Sequence, residues 1–235
     1  MYSFIKYKIA ARLAVPAVFA FMASSLSAAT GGVILADSFD RPDGVRLDGA
    51  VVQTWESRVH TAAPKWTAGK NAIIQDGRVS TDADGAVELR LATPNQTRGV
   101  LTLMADVSHG DSGAEWIGLS FLSSTTVNIF NPANTLLLIV NRGGIVMLFK
   151  NGSAEKLSTT QIAGFDPART YSLELRYDRE AGVAHVLVDG VRMNARPVAV
   201  TKLNSDTFSA VGLRVHGASV KAGALAIDNV SYVIR

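Results

Sequence analysis

One stretch, residues 171–193, constrains the fold more than any other part of the chain. In its first half the apolar residues Tyr171, Leu173, Leu175 and Tyr177 alternate with polar residues. This two-residue period is typical of a strand with one face in solvent. Residues 178–182 can close a short hairpin, and the Asp-Gly pair at 189–190 can form a second tight turn. The stretch therefore predicts three antiparallel strands joined by two turns.

The same kind of pattern recurs through most of the chain. Residues 86–92 and 99–108 alternate in the same way, whereas residues 115–122, 136–140 and 145–149 are nearly continuous apolar runs. Such runs indicate strands that are covered on both faces. From residue 33 onward we count about twelve to fourteen strands, the first at 33–40 and the last two at 208–216 and 225–234, with no convincing helix and no fixed-period repeat. Trp55 and Trp66 lie in a region of weak periodicity that we interpret as a long connection. The sequence thus predicts an all-β fold made of two antiparallel sheets packed as a sandwich.

The first 29 residues resemble a secretory signal peptide. An apolar run at 13–22 follows the basic residues Lys6, Lys8 and Arg12, and small residues occupy 27–29. The alternative is a membrane anchor, but the run is shorter than the roughly 20 residues that a span needs. We therefore predict a signal peptide at 1–29 and one domain at 30–235, exported to the periplasm or outside the cell, with no membrane span in the mature chain.

Charge and cysteine content exclude two classes of function. The whole chain has 23 basic and 20 acidic residues, and the three basic residues of the predicted signal peptide account for the excess. The remaining basic residues are scattered singly, so nucleic acid is not an expected partner. The chain has no cysteine, which excludes disulfides and cysteine-bound metals.

Three segments together carry a resemblance to a known superfamily. They are Asp-Ser-Phe-Asp-Arg-Pro-Asp-Gly at 37–44, the stretch 171–193 with its Val-Asp-Gly at 188–190, and Ile-Asp-Asn-Val at 227–230. The pattern resembles the concanavalin A-like lectin/glucanase superfamily, which includes laminin-G-like domains and secreted bacterial carbohydrate-active proteins. The resemblance implies a jelly roll with one concave sheet and with its first and last strands paired. It does not imply one function, because such folds carry several.

Catalysis of the glucanase type is not predicted. A glucanase of this superfamily is expected to carry Glu-x-Asp-x-x-Glu on one strand, because retaining hydrolysis needs two carboxyls about 5 Å apart. The chain lacks this motif. The nearest group is Glu174, Asp178 and Glu180, which the alternation assigns to the solvent side of a strand and to a turn. The four histidines do not have the spacing of metal ligands.

A structural calcium site is one hypothesis for the opening segment. Asp37, Asp40 and Asp43 recur at three-residue spacing, and Asp228 comes near them if the terminal strands pair. Calcium takes six to eight oxygen ligands from carboxylates and carbonyls. The alternative is that these aspartates only stabilise turns.

A sugar site needs an aromatic ring to stack on a pyranose and polar groups to bind its hydroxyls. Trp116 lies on the strand side shared with Gly118 and Ser120, opposite the apolar positions of its strand. The following strands supply further polar side chains. The candidate ligand-binding residues are Trp116, Ser120, Asn141, Arg142 and Lys150. The alternative is that the tryptophan fills the core.

These patterns favour an exported, non-catalytic, carbohydrate-binding or adhesion-type domain that binds a glycan or polysaccharide. The first alternative is a glycoside hydrolase or polysaccharide lyase on the same fold. The second is a structural protein of the envelope or matrix.

Overall fold

The structure is a computed structural model that describes residues 32–58, 60–110, 113–131, 135–205, 207–217, 220–223 and 226–235. The predicted signal peptide lies outside these residues, as does residue 225 at the start of the last predicted strand. Within the described ranges the chain forms strands, turns and loops but no helix, so none of its elements is a helix that could span a bilayer.

The described residues form seventeen strands. In chain order they are β1 (Val33–Asp37), β2 (Thr54–Trp55), β3 (Trp66–Ala68), β4 (Ala72–Gln75), β5 (Arg78–Thr81), β6 (Val87–Gln96), β7 (Val100–Val107), β8 (Trp116–Leu122), β9 (Leu136–Asn141), β10 (Ile145–Lys150), β11 (Glu155–Gln161), β12 (Tyr171–Asp178), β13 (Val183–Val188), β14 (Val191–Arg192), β15 (Val198–Ala199), β16 (Phe208–His216) and β17 (Ile227–Ile234).

These strands build two antiparallel sheets. The ten-stranded sheet has the order β14-β13-β12-β7-β17-β1-β2, with β15 beside β13, β5 beside β17 and β4 beside β5. The seven-stranded sheet has the order β11-β10-β9-β8-β16-β6-β3. The first strand pairs with the last, and Asp37 lies opposite Val230. The expected pairing of the terminal strands is confirmed.

One apolar core lies between the two sheets. Phe121 of β8 contacts Tyr232 of β17 with ring centroids 6.3 Å apart, and Tyr177 of β12 contacts Phe208 of β16 at 5.9 Å. Burial of each such large side chain stabilises the fold by about 1.5–3 kcal/mol. The predicted two-sheet jelly-roll sandwich is confirmed.

The stretch that opened the sequence argument folds as expected. Tyr171, Leu173, Leu175 and Tyr177 of β12 are all buried. The turn between β13 and β14 has positive φ at both central residues, 51° at Asp189 and 76° at Gly190. This is the geometry that an Asp-Gly hairpin turn requires.

Three details differ from the sequence-based expectation. The first strand ends at Asp37 rather than at residue 40, because Phe39 turns the chain with a φ of 53°. Trp66 starts strand β3 and is buried in the core, whereas we expected it in a long connection. Strand β11 was not predicted, because Leu157 is its only large apolar residue and gives no alternation.

Candidate functional site

The side of the seven-stranded sheet that faces away from the core, here called the outer face, carries the candidate site. Along β8, Ile117 and Leu119 belong to the core cluster, and Trp116 alternates with them. Trp116 instead packs with a small second cluster that includes Ile129 and Phe130. Trp116 therefore lies on the outer face, as its position in the sequence indicated.

Strand register brings Trp116 together with residues that are distant in the sequence. On the two sides of Trp116, Asn141 of β9 and His216 of β16 are its direct cross-strand partners. The next row of the outer face contains Arg214 of β16 opposite Glu88 of β6. We call Glu88, Trp116, Phe130, Arg214 and His216 the aromatic–polar patch.

Aromatic contacts fix the position of Trp116 within the patch. The His216 ring stacks on the indole with centroids 4.8 Å apart and an interplanar angle of 24°. Phe130 meets the indole edge-on at 5.2 Å and 84°. The Arg214 guanidinium lies 6.0 Å from the Trp116 ring and 5.0 Å from the Phe130 ring. Trp116 stays half-buried, so part of the indole faces solvent.

Hydrogen bonds set the orientation of the polar groups. One nitrogen of Arg214 lies 2.5 Å from a Glu88 carboxylate oxygen, and Arg90 lies 3.6 Å from the other oxygen of Glu88. The backbone N–H of Ile129 also donates to Glu88, over 3.3 Å. Glu88 thus joins the sheet to the loop that carries Phe130.

The contact between Arg214 and His216 determines the histidine tautomer. Arg214 Nη2 lies 3.3 Å from His216 Nδ1, and a guanidinium can only donate. His216 Nδ1 is therefore the acceptor, and the ring proton lies on Nε2. Burial lowers the pKa of His216, and the nearby Arg214 charge lowers it further while Glu115 opposes the shift. At neutral pH the patch thus offers a neutral imidazole with an Nε2–H donor.

The structure separates the five predicted ligand-binding residues into two groups. Trp116 and Asn141 lie side by side on the outer face. Arg142 is exposed in the turn after Asn141, where it donates to the carbonyl of Gly110 over 3.3 Å. The structure therefore brings Trp116 and Asn141 together, whereas the Arg142 guanidinium is directed to the turn after β7 of the other sheet.

The other two predicted contacts, Ser120 and Lys150, are buried. Ser120 donates to the carbonyl of Gly212 over 3.3 Å. Lys150 has the same strand parity as the core residue Leu148, and its ammonium donates to the carbonyl of Thr201 over 2.6 Å. Both polar groups are used inside the fold and do not reach the surface of the patch.

Sequence reasoning missed most of the patch. The alternation at 86–92 puts Glu88 and Arg90 on the polar side of that strand, but nothing in the sequence identifies the strand beside it. The signal for Arg214 and His216 is the alternation Leu213-Arg214-Val215-His216 in the strand predicted at 208–216. Only the order β8-β16-β6 places these side chains next to Trp116.

The four aspartates predicted to bind calcium do not fit a calcium site. Asp37 is buried, and its two oxygens each lie 2.7 Å from Arg41 nitrogens. The indole N–H of Trp66 donates to the same carboxylate over 2.7 Å. A cation beside Asp37 would have to displace a guanidinium that already neutralises it.

The remaining aspartates have other roles. Asp43 accepts the backbone N–H of Asp76 over 2.8 Å, and Asp40 is exposed. Burial raises the pKa of Asp228, which lies 4.0 Å from Arg78. Across the described part of the chain, no three His, Cys, Asp or Glu side chains are grouped as metal ligands.

The carboxylates of β12 behave as expected for solvent-side and turn residues. Glu174 pairs with Arg176 on its own strand. Asp178 accepts the N–H of Ala181 over 2.9 Å in the following turn. Neither is part of the aromatic–polar patch.

No protein-family model matches the sequence, and no curated protein is similar to it in sequence. Solved structures are similar in fold. The exoplasmic/lumenal domain of VIP36, in a form bound to Ca²⁺ and Man2, is 11% identical with a TM-score of 0.55, over 82% of this chain and 86% of that one. The potassium-bound carbohydrate recognition domain of Emp46p is 12% identical with a TM-score of 0.53, over 80% and 96%.

A third similar structure is a protein of unknown function with a galectin-like fold from Bacillus subtilis. It is 15% identical with a TM-score of 0.51, over 72% of this chain and 90% of that one. At these identities the likeness concerns the fold. The chain shares the two-sheet jelly-roll fold of these structures, which is the fold that its sequence resemblance implied.

Proposed function

We propose that the chain is a non-catalytic carbohydrate-binding domain and that a glycan binds on the aromatic–polar patch. The observation that carries this proposal is the row Asn141, Trp116 and His216 across three adjacent strands, next to the Arg214–Glu88 pair. A partly exposed indole beside fixed donors and an acceptor is the combination that a pyranose needs.

Each polar group has a definite role in this proposal. His216 Nε2–H donates to a sugar hydroxyl oxygen because Arg214 holds the ring by its other nitrogen. The amide of Asn141 is held by its oxygen, which accepts the N–H groups of Gly143 and Ile145 over 3.0 and 2.8 Å. Its NH₂ group can then donate to the ligand.

The neighbouring structures support a sugar ligand. The Emp46p structure is a potassium-bound carbohydrate recognition domain, and the VIP36 domain is in a form bound to Ca²⁺ and Man2. In this chain Asp37 is paired with Arg41, and Asp43 and Asp228 accept backbone N–H groups, which supports sugar recognition through side chains alone.

The carboxylate geometry supports binding without catalysis. Glycoside hydrolysis by the usual route needs two carboxyl groups across one glycosidic bond. Glu88 is surrounded by Arg214, Arg90 and the N–H of Ile129. A second carboxylate, Glu115, lies close enough to affect the pKa of His216, but it is exposed to solvent. These contacts suit a positioning role for Glu88. We also infer export, from the predicted signal peptide at 1–29.

The test is a glycan array combined with a polysaccharide pull-down on the purified protein. We expect retention of at least one glycan and no release of new reducing ends when that glycan is incubated with the protein. Failure to retain any glycan would contradict the proposal, and product release would favour the hydrolase alternative. Concentration-dependent self-association without glycan binding would favour the structural-protein alternative.

A further inference from the structure

A groove lies at one side of the sandwich, separated from β8 by strands β9 and β10. It opens between β11, the edge strand of the seven-stranded sheet, and the β13–β14 hairpin of the ten-stranded sheet. Its volume is about 510 Å³, within the range of pockets that hold small organic ligands. We call it the edge groove.

The edge groove has an apolar interior. Tyr171, Val188 and Ile162 form buried parts of its wall, and Met193 is half-buried beside them. Val191 is 66% exposed although its strand partner is the core residue Val188. A valine on the core side of a sheet is normally covered. Here the sandwich ends, and the groove leaves that side chain in solvent.

The mouth of the groove carries one surplus positive charge. Of its charged lining residues, Arg169 is paired with Asp189 over 2.6 Å and also lies 4.9 Å from the Tyr171 ring centroid. The second oxygen of Asp189 accepts the N–H of Ser172 over 2.9 Å. Asp189 is thus engaged by Arg169 and Ser172, and it forms no ion pair with the other lining arginine, Arg192.

Arg192 has no carboxylate partner in the described part of the chain. Arg192 lies opposite Leu187 of β13, and Leu187 lies opposite Glu174 of β12. Glu174 is already paired with Arg176. Burial lowers the pKa of His185, and the nearby charge of Arg192 lowers it further. Arg192 is thus a guanidinium at the edge of an apolar groove without a counter-ion.

We propose that the edge groove binds a small amphipathic organic anion, with its apolar body against Val191 and Met193 and its carboxylate on Arg192. A planar guanidinium binds a carboxylate through two parallel hydrogen bonds. Burial of the apolar body supplies the remaining affinity. This site is separate from the aromatic–polar patch and does not depend on sugar binding.

The test titrates the full protein with octanoate and with its neutral analogue octanamide, followed by calorimetry and by amide chemical shifts in NMR. We expect saturable octanoate binding, with the largest shifts at Ile162, Val191 and Met193. Octanamide is expected to bind about fivefold more weakly, because an exposed ion pair contributes up to about 1 kcal/mol. Equal binding of the two compounds, or shifts located elsewhere, would overturn the proposal.

Two variants locate the site. Arg192→Ala is expected to reduce octanoate affinity to the octanamide level and to leave octanamide unchanged. Val191→Asp places a negative charge at an exposed position, so it should abolish octanoate binding without unfolding the protein. Arg196→Ala, at an exposed residue that does not line the groove, is the matched control and should bind octanoate like the wild type. Wild-type octanoate affinity in Arg192→Ala would refute the assignment.

The sugar proposal and this one fail independently. Trp116→Ala should keep octanoate binding, and Arg192→Ala should keep any glycan found on the array. Loss of both ligands in either variant would contradict the separation of the two sites.

Discussion

Replacing Asp37 by asparagine removes the one negative charge of a buried ion pair while keeping the shape of the side chain. In the wild type the Asp37 side chain has no exposed surface, and that of Arg41 is 13% exposed. The carboxylate accepts two bonds from Arg41, one from the Trp66 indole and one from the N–H of Phe39 over 2.9 Å. In the variant an amide has to serve the same four donors with one oxygen, and its own N–H groups face the guanidinium.

Breaking one side of a buried ion pair costs about 3–5 kcal/mol. For two reasons we expect Asp37→Asn to lower the unfolding free energy by about 3 kcal/mol, the lower end of that range. The asparagine oxygen can still accept one bond, and Arg41 keeps its bond to the carbonyl of Val51 over 2.7 Å. For a domain of this size each kcal/mol lowers Tm by about 2–4 °C, so we expect a decrease of about 6–12 °C.

Urea denaturation at pH 7 measures the difference directly, provided that the slope of unfolding free energy against denaturant is unchanged. The matched control is Asp40→Asn, three residues away and exposed, which should change the unfolding free energy by less than about 0.5 kcal/mol. If Asp37→Asn lowers the unfolding free energy no more than Asp40→Asn does, the buried ion pair does not stabilise the fold.

Three further predictions concern the metal, the loop and the histidine. Calcium or a chelator should move the wild-type Tm by less than about 1 °C, because a cation that does not bind the native state cannot stabilise it; a calcium-dependent rise would contradict this. Gly152→Ala would put a Cβ 2.2 Å from the carbonyl oxygen of Phe130, whereas a Cβ at Gly164 would meet open space at a similar φ. In urea denaturation, Gly152→Ala should therefore lower the unfolding free energy by at least about 1 kcal/mol more than Gly164→Ala does. Because burial lowers the pKa of His216 below its usual 6.5, the stability that the neutral ring contributes is complete above pH 6.5 and falls as pH decreases. Protonation also removes the acceptor of Arg214, so glycan affinity measured from pH 7.5 to 5 should fall in the wild type and stay flat in His216→Gln.

The sequence predicts strands well where one face of the strand is exposed to solvent. The alternation at Leu173 and Leu175 identifies both the strand and its buried side, and the turn chemistry of Asp189 fixes the hairpin that follows. Strand β11 escapes prediction because an edge strand has little to bury. Trp66 escapes it because a single tryptophan between turns has no periodicity, although it fills the core beside Phe39 with ring centroids 5.7 Å apart.

The candidate site was predictable only in part, for a geometric reason. Strand parity is local information, and it places Trp116 on the outer face. The order of strands within a sheet is not local, so the meeting of Trp116 with Arg214 and His216 follows only from the pairing of β8 with β16. Lys150 was wrongly expected at the surface, because residue type alone does not show that its ammonium donates to a backbone carbonyl inside the fold.

The central claim, that the aromatic–polar patch binds a glycan through Trp116, is tested most directly by one affinity comparison. Calorimetry on the glycan best retained by the array should compare the wild type with Trp116→Ala and with Trp55→Ala, the latter replacing a 37% exposed tryptophan on the other sheet. A central tryptophan contributes about 2 kcal/mol or more to binding, so Trp116→Ala should weaken binding at least about tenfold while remaining folded by circular dichroism. Trp55→Ala should bind like the wild type. Unchanged affinity in Trp116→Ala, or equal loss in both variants, would contradict the proposed site.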